Sequence, residues 1–217
     1  MRKAVILMGP PGAGKGTQAE LITYKYGLIH FDTGRYIETL FREGLMPFKI
    51  RKEFERGDLV NPVWTLKILQ KQIEKIAATG FGILLSGSPR TVFEAFGDTK
   101  NKGEIDTLTQ SYGRKNIIIF NLDIPPQITM LRNSKRRVCS VCWKPHLLGS
   151  SLKSCPFCGG KLIRRTQDKP SIIENRLKEY EERTKPVLKG LKVRGFKVVK
   201  IDGRPKAPVV FEKISRH

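Results

Sequence analysis

The stretch Gly9-Pro-Pro-Gly-Ala-Gly-Lys-Gly-Thr17 follows directly on the apolar run Val5-Ile6-Leu7-Met8, and it constrains this chain more than any other feature. A short strand, a glycine-rich turn and a helix, in that order, leave the first N–H groups of the helix pointing into the turn. The helix dipole favours an anion there. Lys15 adds a cation that reaches the outer phosphates of a nucleotide. The pattern G-x-x-x-x-G-K is met by Gly9, Gly14 and Lys15, but Gly16 stands where the motif has its hydroxyl, and Thr17 brings one a residue later. An ordinary turn is the bland alternative; the strand before and the amphipathic helix after weigh against it.

Beyond the loop, strand and helix patterns alternate. Lys3–Met8, Leu28–Phe31, Gly82–Leu85, Asn116–Asp123 and Phe196–Ile201 read as strands. Helices are expected over Lys15–Tyr26 (Ala19, Leu21, Ile22 and Tyr26 inward), from Tyr36 to Phe41, and over Met46–Gly57. Asn61 caps and Pro62 opens another to about Ala78, with Leu66, Leu69, Ile73 and Ile76 inward. Pro126–Ser134, Ser171–Gly190 and Pro208–Ile214 complete the set, and Gly97–Gly103 reads as a loop. This alternation predicts an α/β fold with a central parallel sheet flanked by helices.

Residues 135–168 differ: they are basic, cysteine-bearing and poor in apolar runs. Cys139, Cys142, Cys155 and Cys158, all four cysteines of the chain, form C-x2-C-x12-C-x2-C. Each pair fits a tight knuckle, and two knuckles make a tetrahedral thiolate site for structural Zn²⁺. Two disulfides or a redox pair are the alternatives. His146, between the pairs, is read as a surface residue and not a fifth ligand. Arg2 and Lys3 precede an apolar run shorter than the ~7–15 residues of a signal h-region, and no segment approaches a ~20-residue membrane span. A cytoplasmic protein is expected, in which disulfides are disfavoured. The formal net charge of +21 points to anionic partners.

Arg90, Arg136, Arg165 and Arg176 each lie where a turn ends or an element begins. Planar guanidinium forks at such places match the nonbridging oxygens of phosphoryl transfer. Over nearly its whole length the chain resembles the adenylate kinase family of nucleoside monophosphate kinases. Gly9–Thr17 matches that family's G-x-P-G-x-G-K-G-T loop, and Gly87-Ser88-Pro89-Arg90-Thr91 is similar to its G-F-P-R-T. Lys135-Arg136-Arg137 matches the start of the mobile lid, and Arg165–Asp168 resembles the R-x-D-D that ends it. Arg176-Leu177 with Tyr180 matches R-L-x-x-Y, and the cysteines fall where some members carry zinc.

The resemblance implies a P-loop kinase core (1–31, 62–134 and 169–217), a helical insertion binding the monophosphate (32–61) and a zinc-ribbon lid (135–168). It implies reversible transfer of the ATP γ-phosphoryl to AMP, with Mg²⁺ bridging the ATP phosphates, by a monomer. ATP would rest on Gly12, Ala13, Gly14, Lys15, Gly16 and Thr17, with Arg132 against its base and Arg136 on its phosphates. AMP would lie among Thr33, Gly34, Asp58, Leu59, Val60, Gly87 and Glu94, its phosphate on Arg90. Arg165 and Arg176 would close on the transferring group.

Four positions depart from the family pattern. Glu38 replaces the acceptor-side arginine, with Arg35 and Arg42 on the same helix face as substitutes or ion-pair partners. Glu94 stands for the adenine-reading glutamine; a carboxylate only accepts hydrogen bonds, which makes GMP a rival acceptor. Ser86 stands for an aspartate that orders the Mg²⁺ shell, a task Asp123 would take over. Gln167 replaces the first aspartate of R-x-D-D. A different class, a nucleotide-dependent RNA-binding protein, rests on the basic 132–169 segment, in which Trp143 and Phe157 are the only aromatics.

Overall fold

The structure, a computed structural model, describes residues 3–56, 58–146 and 151–217. Its centre is a five-stranded parallel sheet in the order β2-β3-β1-β4-β8, built from β1 (Ala4–Met8), β2 (Ile29–Asp32), β3 (Ile83–Ser86), β4 (Ile117–Asp123) and β8 (Val198–Asp202). β1 is buried along its whole length, which is why it reads as an unbroken apolar run.

Its residues alternate between two cores because successive side chains of a strand leave on opposite faces. Ala4, Ile6 and Met8 join Leu69 and Ile73 of α4 (Pro62–Ala78), Leu108 of α6 (Glu104–Tyr112) and Leu191 of α9 (Lys185–Val193). Val5 and Leu7 join Ala19 and Ile22 of α1 (Lys15–Tyr26) and Val210 and Ile214 of α10 (Ala207–Ser215). In α1, Gln18 takes the buried place expected for Tyr26: its Nε2 donates to the Ala207 carbonyl at 3.0 Å, and Tyr26 is exposed.

Two smaller bodies sit off the C-terminal edge of the sheet. One holds α2 (Thr33–Arg42) and α3 (Phe48–Arg56), with its own core of Ile37, Met46, Ile50 and Val60. The other is an antiparallel sheet in the order β6-β5-β7, made of β5 (Arg137–Cys139), β6 (Pro145–His146) and β7 (Leu162–Ile163). Its core is little more than Cys139, Cys155 and Leu162.

Two short helices, α5 (Val92–Phe96) and α6, were not expected. Thr91 and Glu94 form a capping box on α5, and its T-x-x-E signature is present in the sequence. α6 is rich in Ser, Thr and Asp and is held by burying Ile105, Leu108 and Tyr112 at helical spacing. The expected single helix over Ser171–Gly190 is interrupted: α8 (Pro170–Glu179) and α9 are joined by a π-helical turn, Tyr180–Thr184. Pro186 lacks an N–H and crowds the preceding turn, which explains the widening. The remaining helix, α7 (Pro126–Ser134), leads from β4 to the cysteine-bearing sheet.

Candidate active site

In a parallel sheet, ligands bind beyond the carboxyl ends of the strands, and the loops here obey that rule. Gly9 leaves β1 at φ 139°, where a Cβ would lie 2.3 Å from the Leu122 carbonyl oxygen; only glycine lets the loop turn this close to β4. Gly14 caps α1 in the left-handed conformation, so the helix N-terminus opens into the loop. Lys15 folds back over it, its Nζ donating to the carbonyls of Gly9 (2.7 Å) and Pro10 (2.8 Å). The loop borders a cavity of about 840 Å³ that extends to Asp58, Leu59 and Val60 beyond α3.

Burial first, then Arg90, Arg176 and Arg136, lower the Lys15 pKa from 10.5 to about 7, with Asp32 opposing. A polyphosphate would reverse that balance, so binding takes up a proton. We expect affinity for ATP to fall as pH rises above 7, with proton uptake visible by calorimetry in buffers of different ionisation heat. A Lys15→Met variant should show neither effect. In the unliganded chain the sign is opposite: between about 7 and 10.5 the unfolded lysine holds more protons, so stability rises with pH across that window.

The arginines converge on the same cavity. Arg90 follows β3; its guanidinium packs beside Gly34 and Gly87, at each of which a Cβ would lie 3.2 Å from its Nη2, and Nε donates to the Gly87 carbonyl at 2.5 Å. Antiparallel pairing of β5 with β7 matches Val138 with Ile163. Just beyond these paired strands, Arg136 and Arg165 both come close enough to Arg176 to act on its charge, although they lie far apart in sequence. Arg136 grips Asp168 through Nε (2.8 Å) and Nη2, and Arg165 pairs with Glu38. Arg176, from α8, lies 4.0 Å from the same Asp168; burial, then Arg136, Arg165 and Arg90, push its pKa down to about 9. Among the described residues neither Lys15 nor Arg90 makes an ion pair. The cavity therefore carries surplus positive charge. Arg132 donates to the carbonyls of Gly12 (3.3 Å), Gly203 (2.9 Å) and Arg204 (2.8 Å).

The cavity gathers Gly12, Ala13, Gly14, Lys15, Gly16 and Thr17 from the loop, the five arginines above, and Gly34, Gly87 and Asp58–Val60. Thr33 and Glu94 stand outside its lining. Thr33 is buried and donates to the Ser88 hydroxyl at 3.1 Å. Glu94 is buried, and its carboxylate accepts from the N–H groups of Arg90 (2.6 Å) and Thr91 (3.2 Å). That side chain is a helix cap, and the argument from Glu94 to GMP loses its footing. Glu94→Ala is expected to cost about 0.5–2 kcal/mol of stability, read by denaturant unfolding, and to leave the AMP-over-GMP preference unchanged.

Two further expectations are corrected. Asp123 is not among the residues lining the cavity; it forms an ion pair with Lys200 at 2.8 Å, its diagonal neighbour in the β4–β8 register. Asp32, at the end of β2, lines the cavity instead, close enough to Lys15 to raise its pKa. His146 is buried in β6 with an unpartnered Nε2, and it lines the cavity. Asp32 and His30 were missed; residues at the carboxyl end of a parallel strand were the available signal. His30 Nε2 lies 2.7 Å from the Ser86 hydroxyl, and burial lowers its pKa.

The four cysteine sulfurs lie within 4.8 Å of one another, with Cys139–Cys158 at 3.3 Å and Cys142–Cys155 at 3.6 Å. Val141 and Cys142 donate their N–H groups to Cys139 Sγ at 3.3 and 3.4 Å. A closed set of four soft ligands on two knuckles fits a tetrahedral Zn²⁺. Among the described residues no helix is long and apolar enough to cross a membrane.

A strand–glycine loop–helix cradle facing a ring of guanidiniums defines a P-loop phosphotransferase. A sequence model of the family described as adenylate kinase matches residues 7–196. Over 97% of this chain and 96% of theirs, adenylate kinases of Oceanobacillus iheyensis and Clostridium tetani are 34% and 33% identical to it. One from Methanothrix thermoacetophila is 31% identical over 98% of this chain and 96% of its own. The chain belongs to the adenylate kinase family.

Proposed function

We propose that this chain transfers the γ-phosphoryl of ATP to AMP, reversibly giving two ADP, between a donor site on the Gly9–Thr17 loop and an acceptor site at Arg90. The convergence of Lys15, Arg90, Arg136, Arg165 and Arg176 on one cavity carries this reading. The attacking oxygen of a monophosphate is already anionic, so no general base is needed. Catalysis is alignment and charge compensation at the transferring group.

Each cation has a task. Lys15 and Arg136 hold the donor's phosphates, Arg90 the acceptor's, and Arg165 and Arg176 the group in flight. Arg132 has its N–H edge on backbone carbonyls, so its flat face is what it offers the donor base. Leu59 and Val60 supply an apolar wall for the acceptor base, beside Gly34 and Gly87. Thr17 and Asp32 are the oxygen donors placed to hold Mg²⁺ with ATP, where it would screen the phosphate charge.

The chain works as three parts: a core (1–31, 62–134, 169–217), an acceptor insertion (32–61) and a lid (135–168) stapled by Zn²⁺ on Cys139, Cys142, Cys155 and Cys158. Lid closure excludes water that would otherwise hydrolyse ATP. We take the enzyme to be a cytosolic monomer. An assay with Mg²⁺-ATP and each monophosphate tests the reading. AMP should give ADP fastest; activity with GMP but none with AMP would refute the acceptor assignment.

A further inference from the structure

Three residues of α2 form one stripe: Arg35, Glu38 and Arg42, at i, i+3 and i+7. The opposite face carries Ile37 and Phe41 into the insertion's own core. The stripe meets the lid at every one of its three positions. Glu38 pairs with Arg165. Arg35 Nη2 donates to the Trp143 carbonyl at 3.3 Å. The Arg42 guanidinium lies 4.3 Å from the centre of the Trp143 ring.

Trp143 occupies an unusual backbone position. The two cysteine knuckles are built alike. In one, the Trp143 N–H donates to the Cys139 carbonyl at 3.2 Å; in the other, the Gly159 N–H donates to the Cys155 carbonyl at 2.9 Å. The residue after each second cysteine is left-handed, at φ 59° for Trp143 and φ 74° for Gly159. Among the described residues Trp143 is the only non-glycine at positive φ. A bulky side chain is strained there, and glycine is not. The knuckle does not need the indole; the contact across the cleft does.

We propose that Trp143 is a positioning residue, which docks the zinc lid onto α2 through Arg42 and Arg35 so that the donor and acceptor flaps close as one unit. A guanidinium stacked on an indole face is attracted by the ring quadrupole and gives up little hydration. The role rests on the kinase reading above, but the docking itself can be read without catalysis.

Trp143→Gly eases the backbone, so zinc content and melting temperature should hold or rise. KM for AMP should rise about fivefold, with kcat changed less and ATP hydrolysis without AMP increased. Arg42→Ala should do the same, and the double variant should be no worse than either single one, because both remove one contact. Wild-type KM in Trp143→Gly, or single effects that multiply in the double variant, would overturn the proposal. If Trp143→Gly loses zinc, Arg42→Ala alone decides. A Trp64→Phe background leaves Trp143 as the only indole. In it, Arg42→Ala should red-shift the emission of the unliganded chain, and unchanged emission also counts against docking. Wild-type protein without activity on AMP but with that shift would fault the kinase reading and keep the contact.

Discussion

Lys15→Ala is expected to lower kcat by about 10²–10³-fold or more while leaving the fold and zinc content intact. Lys15 is the cation of the glycine loop, and its Nζ lies over Gly9 and Pro10 where donor phosphates would sit. Its contribution is to the charge that develops in transfer. Stability should not suffer. Burial and neighbouring arginines disfavour its charged form, so the alanine variant removes an electrostatic burden from the empty site. Circular dichroism and the unfolding midpoint check the fold, and single-turnover transfer checks the chemistry. A kcat within about tenfold of wild type would remove Lys15 from the reaction.

Cys142→Ser is the second large effect. The small sheet has almost no apolar core beyond its cysteines, so the metal supplies most of its folding free energy. Breaking one ligand should empty the site and release the β5–β7 pairing from whose ends Arg136 and Arg165 project. We expect zinc to fall to background, kcat to drop about 10²-fold, and the main unfolding transition to stay near wild type. That transition reports the two cores around the parallel sheet, which the lid does not share. Unchanged zinc content in this variant would refute the four-cysteine site.

The site was legible where its signal is contiguous. The glycine loop, the lysine and the paired C-x2-C knuckles occupy short windows, and backbone geometry ties their spacing to one chemistry. The buried strands were legible because two covered faces demand unbroken apolar runs. Glu94 and His146 were misjudged because residue type does not reveal which way a side chain turns. Both turn inward, Glu94 onto N–H groups that α5 leaves free and Thr91 helps to cap. Asp123 and Asp32 look alike as carboxylates ending strands; only the folded chain shows that Asp123 is taken by Lys200 of the neighbouring strand while Asp32 lines the cavity.

Amino-acid order by itself determined that this chain builds a phosphate cradle, an alternating α/β core and a four-thiolate staple, because each depends on neighbours within a few residues. Tertiary structure alone decided that Arg136 and Arg176 share the Asp168 carboxylate while Arg165 pairs with Glu38, and that Glu38 and Arg42 face the lid. Those meetings join residues more than a hundred positions apart in the case of Glu38, Arg165 and Trp143. They follow from strand register and helix phase, which no local window contains.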